Sequence, residues 1–383
     1  MNIVVNTRLL LPKKLEGIGW VTYEIFSRMA VRHPEHRFIF LFDRAYDPQF
    51  VFSSNVRPVV LFPPARHPWL WKLYYEISVP LALKRYKADL FISPDSMICL
   101  HTSVPTISVM HDLNFKHYPQ WLPKVVGRYY NKHMAKFAHK ADHLIAVSQF
   151  TKEDLMNSYG VPSDKITVIH NAANTNYHSI DEQKKQSVRF DYTHGQPYFL
   201  FVGSLHPRKN IERLLQAFDI FKEQDNNNIK LVIVGTPMWN NNNISSENLK
   251  HMDDVVLTGY LSDKKLSEVM GAALGLVYVS LFEGFGIPIV EAFHAEVPVI
   301  TSNITAMPEV AGDAALLVDP YQTQSIADAM TKLSKHPQLQ QDLVHKGRQR
   351  RELFSWDRSA DMFWQVIERH FIKGNLPNDQ TLH

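Results

Sequence analysis

Cysteine is nearly absent: the 383 residues contain one, Cys99. A lone thiol closes no internal disulfide and builds no zinc site, so a reducing, cytosolic compartment is expected, with Cys99 packed as a small hydrophobe. No stretch approaches the roughly 18 uncharged apolar residues of a membrane span, so any membrane contact is expected to be peripheral. The opening MNIVVNTRLLLPKK lacks a basic leader followed by a long apolar region, which argues against a signal peptide. Asp-X-Asp and Gly-X-Ser-X-Gly are both missing. A divalent metal held by the first, or a nucleophilic serine on the second, is therefore not indicated. Excess charge of one sign is also scarce. Lys and Arg number 41 against 38 Asp and Glu, a net +3 that suits a phosphorylated ligand or an anionic membrane surface but not a nucleic-acid footprint.

What is present is ordinary globular material, 45% hydrophobic and 21% charged, which excludes disordered and collagen-like classes. The length suits two domains of about 150–200 residues each. Short apolar runs alternate with amphipathic stretches: NIVVN, FIFLF, DLFIS, TISVM and HLIAV, then YFLFVG, KLVIVG, VVLTG, GLVYVS and VPVIT. Runs apolar on both faces suit buried parallel strands, and the intervening segments are long enough for crossover helices, so the chain reads as α/β twice over. Residues 171–197 are polar, Asn-rich and poor in apolar periodicity, the best linker candidate. The domains are accordingly placed at 1–172 and 197–358, with a linker over 173–196. Asn clusters at 226–228 and 240–243 read as surface loops. Met362, Phe363, Val366, Ile367 and Phe371 recur at helical spacing near the end.

The stretch SLFEGFGIPIVEAF places Glu283 and Glu291 eight residues apart around Gly284-Phe285-Gly286. The apolar run before it is a strand, the glycines break a helix, and Pro288 fits the first helical position, so the order is strand, glycine loop, helix. Such a loop and first turn, Gly284 to Ile287, offer amide groups and the positive end of the helix dipole to a phosphate. The two carboxylates could then hold hydroxyl groups on either side of a diphosphate, as a sugar nucleotide requires. In VGSLHPRKNIERLL a strand ends at Gly203-Ser204, and the following turn presents Arg208 and Lys209, which can neutralise a diphosphate leaving group. His111 follows directly on the TISVM strand, where open α/β sheets line their ligand crevice. Gly17 and Gly19 resemble a phosphate loop, with Thr22 where the dinucleotide fingerprint wants a third glycine. Each feature also has a plain structural reading: a solvated basic turn, a core histidine, a turn before a helix.

Taken together these motifs, with MHDLNF, VSQFTKEDL, LTGYLSD and MPEVAGDAALLVDP, resemble the retaining glycosyltransferases of family 4, over nearly the whole chain. The resemblance implies the GT-B fold: two Rossmann-like domains facing across a cleft, acceptor in the first and nucleotide-sugar donor in the second, with 359–383 crossing back to complete the first. It implies that Glu283 touches the donor sugar's hydroxyls, Glu291 the ribose, and Arg208 and Lys209 the diphosphate. His111 would lie beside the reacting centre, the Gly17–Gly19 loop near the phosphates, and Tyr260 by the base. It also implies front-face attack assisted by the leaving phosphate, no general base, no cofactor and no metal. The implied partners are a nucleotide sugar, GDP-mannose ahead of UDP-hexoses, and a saccharide or lipid-linked acceptor. The chain departs from the pattern at Ser204, where many relatives carry arginine.

A GT-B epimerase of UDP-sugars, an inactive sugar-nucleotide-binding relative and a nicotinamide dehydrogenase are the competing readings. The last is disfavoured by the incomplete fingerprint at Gly17. Residues 67–87, HPWLWKLYYEISVPLALKRYK, read first as a buried helix of aromatic core residues with Pro80 near a break. Alternating aromatics and lysines also suit a membrane-facing helix at the inner face of a membrane.

Overall fold

The computed structural model describes residues 1–11, 15, 17–224, 228–236 and 249–372. The chain divides into two compact units, Met1–Asn171 together with the segment from Trp356 onward, and Ala172–Ser355. The Asn cluster at 240–243 and most of that at 226–228 lie outside the described residues.

The first unit holds a seven-stranded, all-parallel sheet. Its strands are β1 (Asn2–Asn6), β2 (Arg37–Phe42), β3 (Val56–Val60), β4 (Leu90–Ser93), β5 (Thr106–Met110), β6 (His143–Ala146) and β7 (Ile166–Val168). They lie in the order β3-β2-β1-β4-β5-β6-β7. The second unit repeats the plan with β8 (Tyr198–Val202), β9 (Lys230–Val234), β10 (Val255–Gly259), β11 (Gly275–Tyr278), β12 (Val299–Ser302) and β13 (Ala315–Val318). Their order is β10-β9-β8-β11-β12-β13, again all parallel. Both sheets are doubly wound, so each has one place where neighbouring strands lead their chains in opposite directions, β1/β4 and β8/β11. Ligands of open α/β sheets collect there, beyond the strands' carboxyl ends.

The central strands are as apolar as both-face burial demands. Ile3, Val4 and Val5 of β1 and Tyr198 to Phe201 of β8 are fully buried. Ten apolar runs signal strands, yet thirteen form; β3, β7 and β13 were not expected. All three are sheet edges, and two of them show why they were faint. β3 carries Pro58, tolerated at an edge because one side of its ladder is unpaired, and β13 is half-exposed at Ala315 and Leu316 and exposed at Leu317.

The expected linker is not featureless. Residues Glu182–Thr193 form a helix of the second unit, started by the Asp181 carboxylate, which accepts from the Lys184 N–H at 2.7 Å. Its only buried residues are Val188 and Thr193, too few to give an apolar period. The helix Trp356–Ile367 packs in the first unit against Ile18–Arg32: Phe363 meets Phe26 edge to face at 5.7 Å, and Trp364 stacks on His33 at 3.6 Å. Arg32 donates to Asp361 at 2.6 Å, and Ser359 Oγ donates to the His170 carbonyl at 2.6 Å. Residues 68–85 are one run of helix whose middle turn, Tyr74–Ser78, is a π turn. Pro80, lacking an N–H, sits just beyond; the widened turn accommodates it where a sharp break was expected. Cys99 is fully buried in the core of this unit.

Gly235, just past β9, has φ +147, and a Cβ there would lie 1.9 Å from the Gly203 carbonyl oxygen. At Gly259 (φ +69) a Cβ would meet nothing within 4 Å. Gly259→Ala should therefore cost about 1 kcal/mol of left-handed strain, whereas Gly235→Ala should cost several-fold more. Denaturant melts of the two variants test this, and equal losses would refute the close approach.

Candidate functional site

The β8/β11 switch point is where the two cation and carboxylate motifs meet. After β8 the chain passes Gly203 and Ser204 into a tight turn, Pro207–Lys209, where the Arg208 N–H donates to His206 Nδ1 at 3.2 Å. Asn210 closes the turn with a left-handed φ of +61, which Asn tolerates better than most residues. Its Nδ2 donates to the carbonyls of Val279 (3.0 Å) and Pro320 (2.7 Å). The Leu281 N–H in turn donates to the Arg208 carbonyl at 2.8 Å. Backbone and side chain together thus stitch the loop after β8 to the loop after β11.

Across that seam the buried Glu283 carboxylate receives both cations. Oε1 accepts from Lys209 Nζ at 2.7 Å, and Oε2 accepts from Arg208 Nη1, which also donates to the Phe282 carbonyl at 3.0 Å. Lys209 Nζ additionally donates to the Tyr278 hydroxyl at 2.5 Å and lies 4.6 Å from that ring's centroid. Burial alone would push the Glu283 carboxyl up, but Arg208 and then Lys209 outweigh it and hold it at about 2. Two cations and one carboxylate leave a net charge of one positive unit.

Gly284 and Phe285 are buried, the Phe285 ring edge-on to Phe354 at 5.6 Å, and Gly286 has φ +99. Gly286 caps the helix Ile287–His294, so Pro288 occupies the second helical position, not the first. The reason it fits is unchanged, because the second N–H is also without an intrahelical acceptor. Glu291 follows one turn later, hydrogen-bonded to the buried Tyr177 hydroxyl. Burial pushes its carboxyl up to about 8, with a smaller push from Asp263, while Tyr177 pulls the other way. The two glutamates therefore sit at opposite ends of one loop and helix start, their carboxyls moved in opposite directions by their surroundings. Tyr260 is 60% exposed on the loop after the edge strand β10.

In the first unit His111 leaves β5 half-buried, and its Nε2–H donates to the Pro94 carbonyl at 2.7 Å, beside the end of β4. Burial pushes its imidazole down, against the pull of that carbonyl. Gly17 caps the helix Ile18–Arg32 at φ +33. A Cβ on Gly19 would lie 2.7 Å from the Leu9 carbonyl oxygen, so close packing requires this glycine; Thr22 Oγ1 donates back to the Ile18 carbonyl at 2.7 Å. A buried network that the motifs did not signal fills the β1/β4 switch point. Arg8 Nε donates to Asp95 and, at 3.1 Å, to the Tyr75 hydroxyl, which donates to Asp95 Oδ2 at 2.8 Å. Tyr177 and Tyr278 also escaped the sequence, where each is one common residue without a spacing to mark it, and Asn210 was quoted within its motif without a role.

The model of the family described as glycosyl transferases group 1 matches residues 182–350, and that described as glycosyltransferase family 4 matches residues 15–177. Among curated proteins, the chain is 28% identical over 357 residues to O-antigen chain mannosyltransferase B of Escherichia coli, covering 90% of this chain and 93% of that protein. It is 29% identical to the O-antigen chain mannosyltransferase RfbU of Salmonella typhimurium, covering 74% and 73%. Among solved structures, WaaG, a glycosyltransferase involved in lipopolysaccharide biosynthesis, superposes with a TM-score of 0.76 at 18% identity, covering 95% of this chain and 99% of WaaG. HepE of Anabaena, in complex with UDP-glucose, gives 0.75 at 16% identity, covering 96% and 100%. At such identities these two structures establish the fold alone.

The raised Glu291 carboxyl has a stability consequence. A carboxyl whose folded value lies above its unfolded one stabilises fully below the unfolded value, and that contribution fades as pH rises through the folded one. The unfolding free energy of the wild type relative to Glu291→Gln should therefore fall between about 4.5 and about 8. The steepest slope should be about 1.4 kcal/mol per pH unit. Urea melts across that range measure it; a gap independent of pH would mean that Glu291 is ionised throughout.

Proposed function

The chain belongs to the GT-B glycosyltransferases of family 4 and is a hexosyltransferase, and we propose that it moves mannose from GDP-mannose, with retention, onto a saccharide or lipid-linked acceptor in polysaccharide assembly. The observation that carries the site assignment is the convergence of Arg208, Lys209 and Glu283 at the β8/β11 switch point, directly ahead of the Gly286-capped helix. Support for mannose comes from the mannosyltransferase relatives.

In this reading the diphosphate lies against Arg208 and the helix start, with Glu283 on the sugar side and Glu291 on the ribose side. Cleavage of the anomeric C–O bond leaves an oxocarbenium-like sugar and a nucleoside diphosphate carrying the bonding electron pair. Arg208, Lys209 and the amides of 284–287 stabilise that developing anion, the work a divalent ion does elsewhere, so no metal is required. The acceptor hydroxyl attacks from the face the phosphate leaves and gives its proton to a departing phosphate oxygen. No side chain serves as general base. Tyr260, on the loop after β10, lies beside the base in the same reading.

Calorimetry without added divalent metal should show GDP-mannose binding more tightly than UDP-glucose, UDP-N-acetylglucosamine or NAD, with Glu291→Ala weakening it. Binding of a UDP-sugar in its place would overturn the donor assignment, and binding of NAD alone the site reading. Lys209→Ala should lower turnover by about 100-fold or more. Unchanged activity in that variant would remove Lys209 from leaving-group stabilisation.

A further inference from the structure

The helical run 68–85 is apolar on both sides. Trp71, Tyr74, Tyr75 and Val79 are buried, while Trp69, Leu73, Ile77 and Leu81, four residues apart, are 68%, 42%, 52% and 63% exposed. Phe62, on the loop before it, is 83% exposed. The stripe runs about 18 Å along the helix axis. Core packing explains the inner face, and the outer one is left exposed among the described residues.

A second stripe lies on the helix beside it. Lys124–Lys140 carries Lys124, Arg128, Lys132, Lys136 and Lys140 at strict four-residue spacing and contains no carboxylate. The first four of these cations are exposed. The two helices are locked side by side, Trp71 stacked on Tyr130 at 5.7 Å between centroids and edge-on to Tyr129 at 5.2 Å. The His133 imidazole is pushed down first by burial and then by Lys132, Lys136 and, more weakly, Lys72, against the pull of Glu76, so cations of both helices act on one spot. Between Arg57 and Lys87 the six Arg and Lys residues face a single acid, Glu76. That acid is already engaged by His101 Nδ1 at 2.5 Å and by the Leu100 N–H at 3.2 Å.

We propose that this face is a docking surface for an anionic lipid bilayer, with Trp69, Leu73, Ile77 and Leu81 entering the headgroup boundary and the Lys124–Lys140 stripe contacting lipid phosphates. An apolar stripe flanked by unopposed cations is what an interfacial helix needs, and acidic lipids supply the complementary charge. A symmetric second copy is a poor occupant, because a two-fold contact through this patch would set cation against cation. No helix among the described residues is long and apolar enough to cross a membrane, so the contact is an in-plane one.

The test is flotation of the full chain with vesicles of equal parts phosphatidylglycerol and phosphatidylcholine, and with phosphatidylcholine alone, at low and high salt. The expected result is binding to the anionic vesicles that weakens with salt, is lost in Trp69→Ser/Ile77→Ser, and falls about tenfold or more in Lys132→Gln/Lys136→Gln. Circular dichroism and thermal melting should be unchanged in both variants, since the four side chains are at a surface. No flotation of the wild type, equal flotation on both vesicles, or flotation unaffected by either variant overturns the proposal. So does a concentration-dependent dimer on gel filtration that Ile77→Ser abolishes, which would assign the face to a second copy.

Discussion

The ion-pair triad of Arg208, Lys209 and Glu283 is the contact on which the second unit's site depends. Two strands separated by more than seventy residues end side by side because the sheet reverses its winding between β8 and β11. Their loops would otherwise diverge. Asn210 and the Leu281 amide close the gap with neutral hydrogen bonds, and the triad closes it with charge. A buried carboxylate with one cation would be an even exchange of desolvation for attraction. With two cations and the Tyr278 hydroxyl, every buried charge has a partner and a positive unit is left over for an anion. The pairing also means that any anion bound at this point would compete with Glu283 for Arg208.

The first unit solves the same topological problem with a different network. Arg8 follows β1, Asp95 follows β4, and Tyr75 comes from the helical run 68–85, so three separate elements converge on the β1/β4 switch point. Here the charges balance one for one, so no surplus remains for a phosphate, and the network reads as a rigid floor. It also ties that helix to the sheet, fixing its outward stripe in place.

Much of this was legible in the sequence because it rests on pattern. Both-face burial writes continuous apolar runs, and these marked ten strands; the three that went unseen are edges, where burial on one side and exposure on the other dilute the signal. The Glu-X7-Glu spacing and the Pro-Arg-Lys-Asn turn stood out because glycine and proline constrain the backbone around them. Asn210 was read as part of a motif but not as its hinge, since a left-handed residue leaves no trace in composition. Arg8 meets Asp95 across 87 residues of chain, Tyr278 meets Lys209 across 69, and Tyr177 meets Glu291 from farther still, and pairing at such distances has no local signature. Residues 67–87 read first as a buried helix, and Trp71, Tyr74, Tyr75 and Val79 are buried; what the sequence did not separate is the second, exposed apolar stripe of Trp69, Leu73, Ile77 and Leu81, because a helix apolar all round shows no period.

The two glutamates show where sequence reading must stop. Glu283 and Glu291 are the same residue eight positions apart, and spacing offers no reason to treat them differently. Their surroundings set one near 2 and the other near 8. Glu283 is buried and Glu291 half-buried; the difference is that Glu283 faces Arg208 and Lys209, while Glu291 faces a neutral phenol and a second acid. A carboxyl held up in this way can donate as well as accept, and while protonated it adds no negative charge to the loop it shares with Glu283. Burial with two cations pulls one carboxyl down, and burial without them pushes the other up, so one small loop holds two identical side chains without setting two equally ready negative charges side by side.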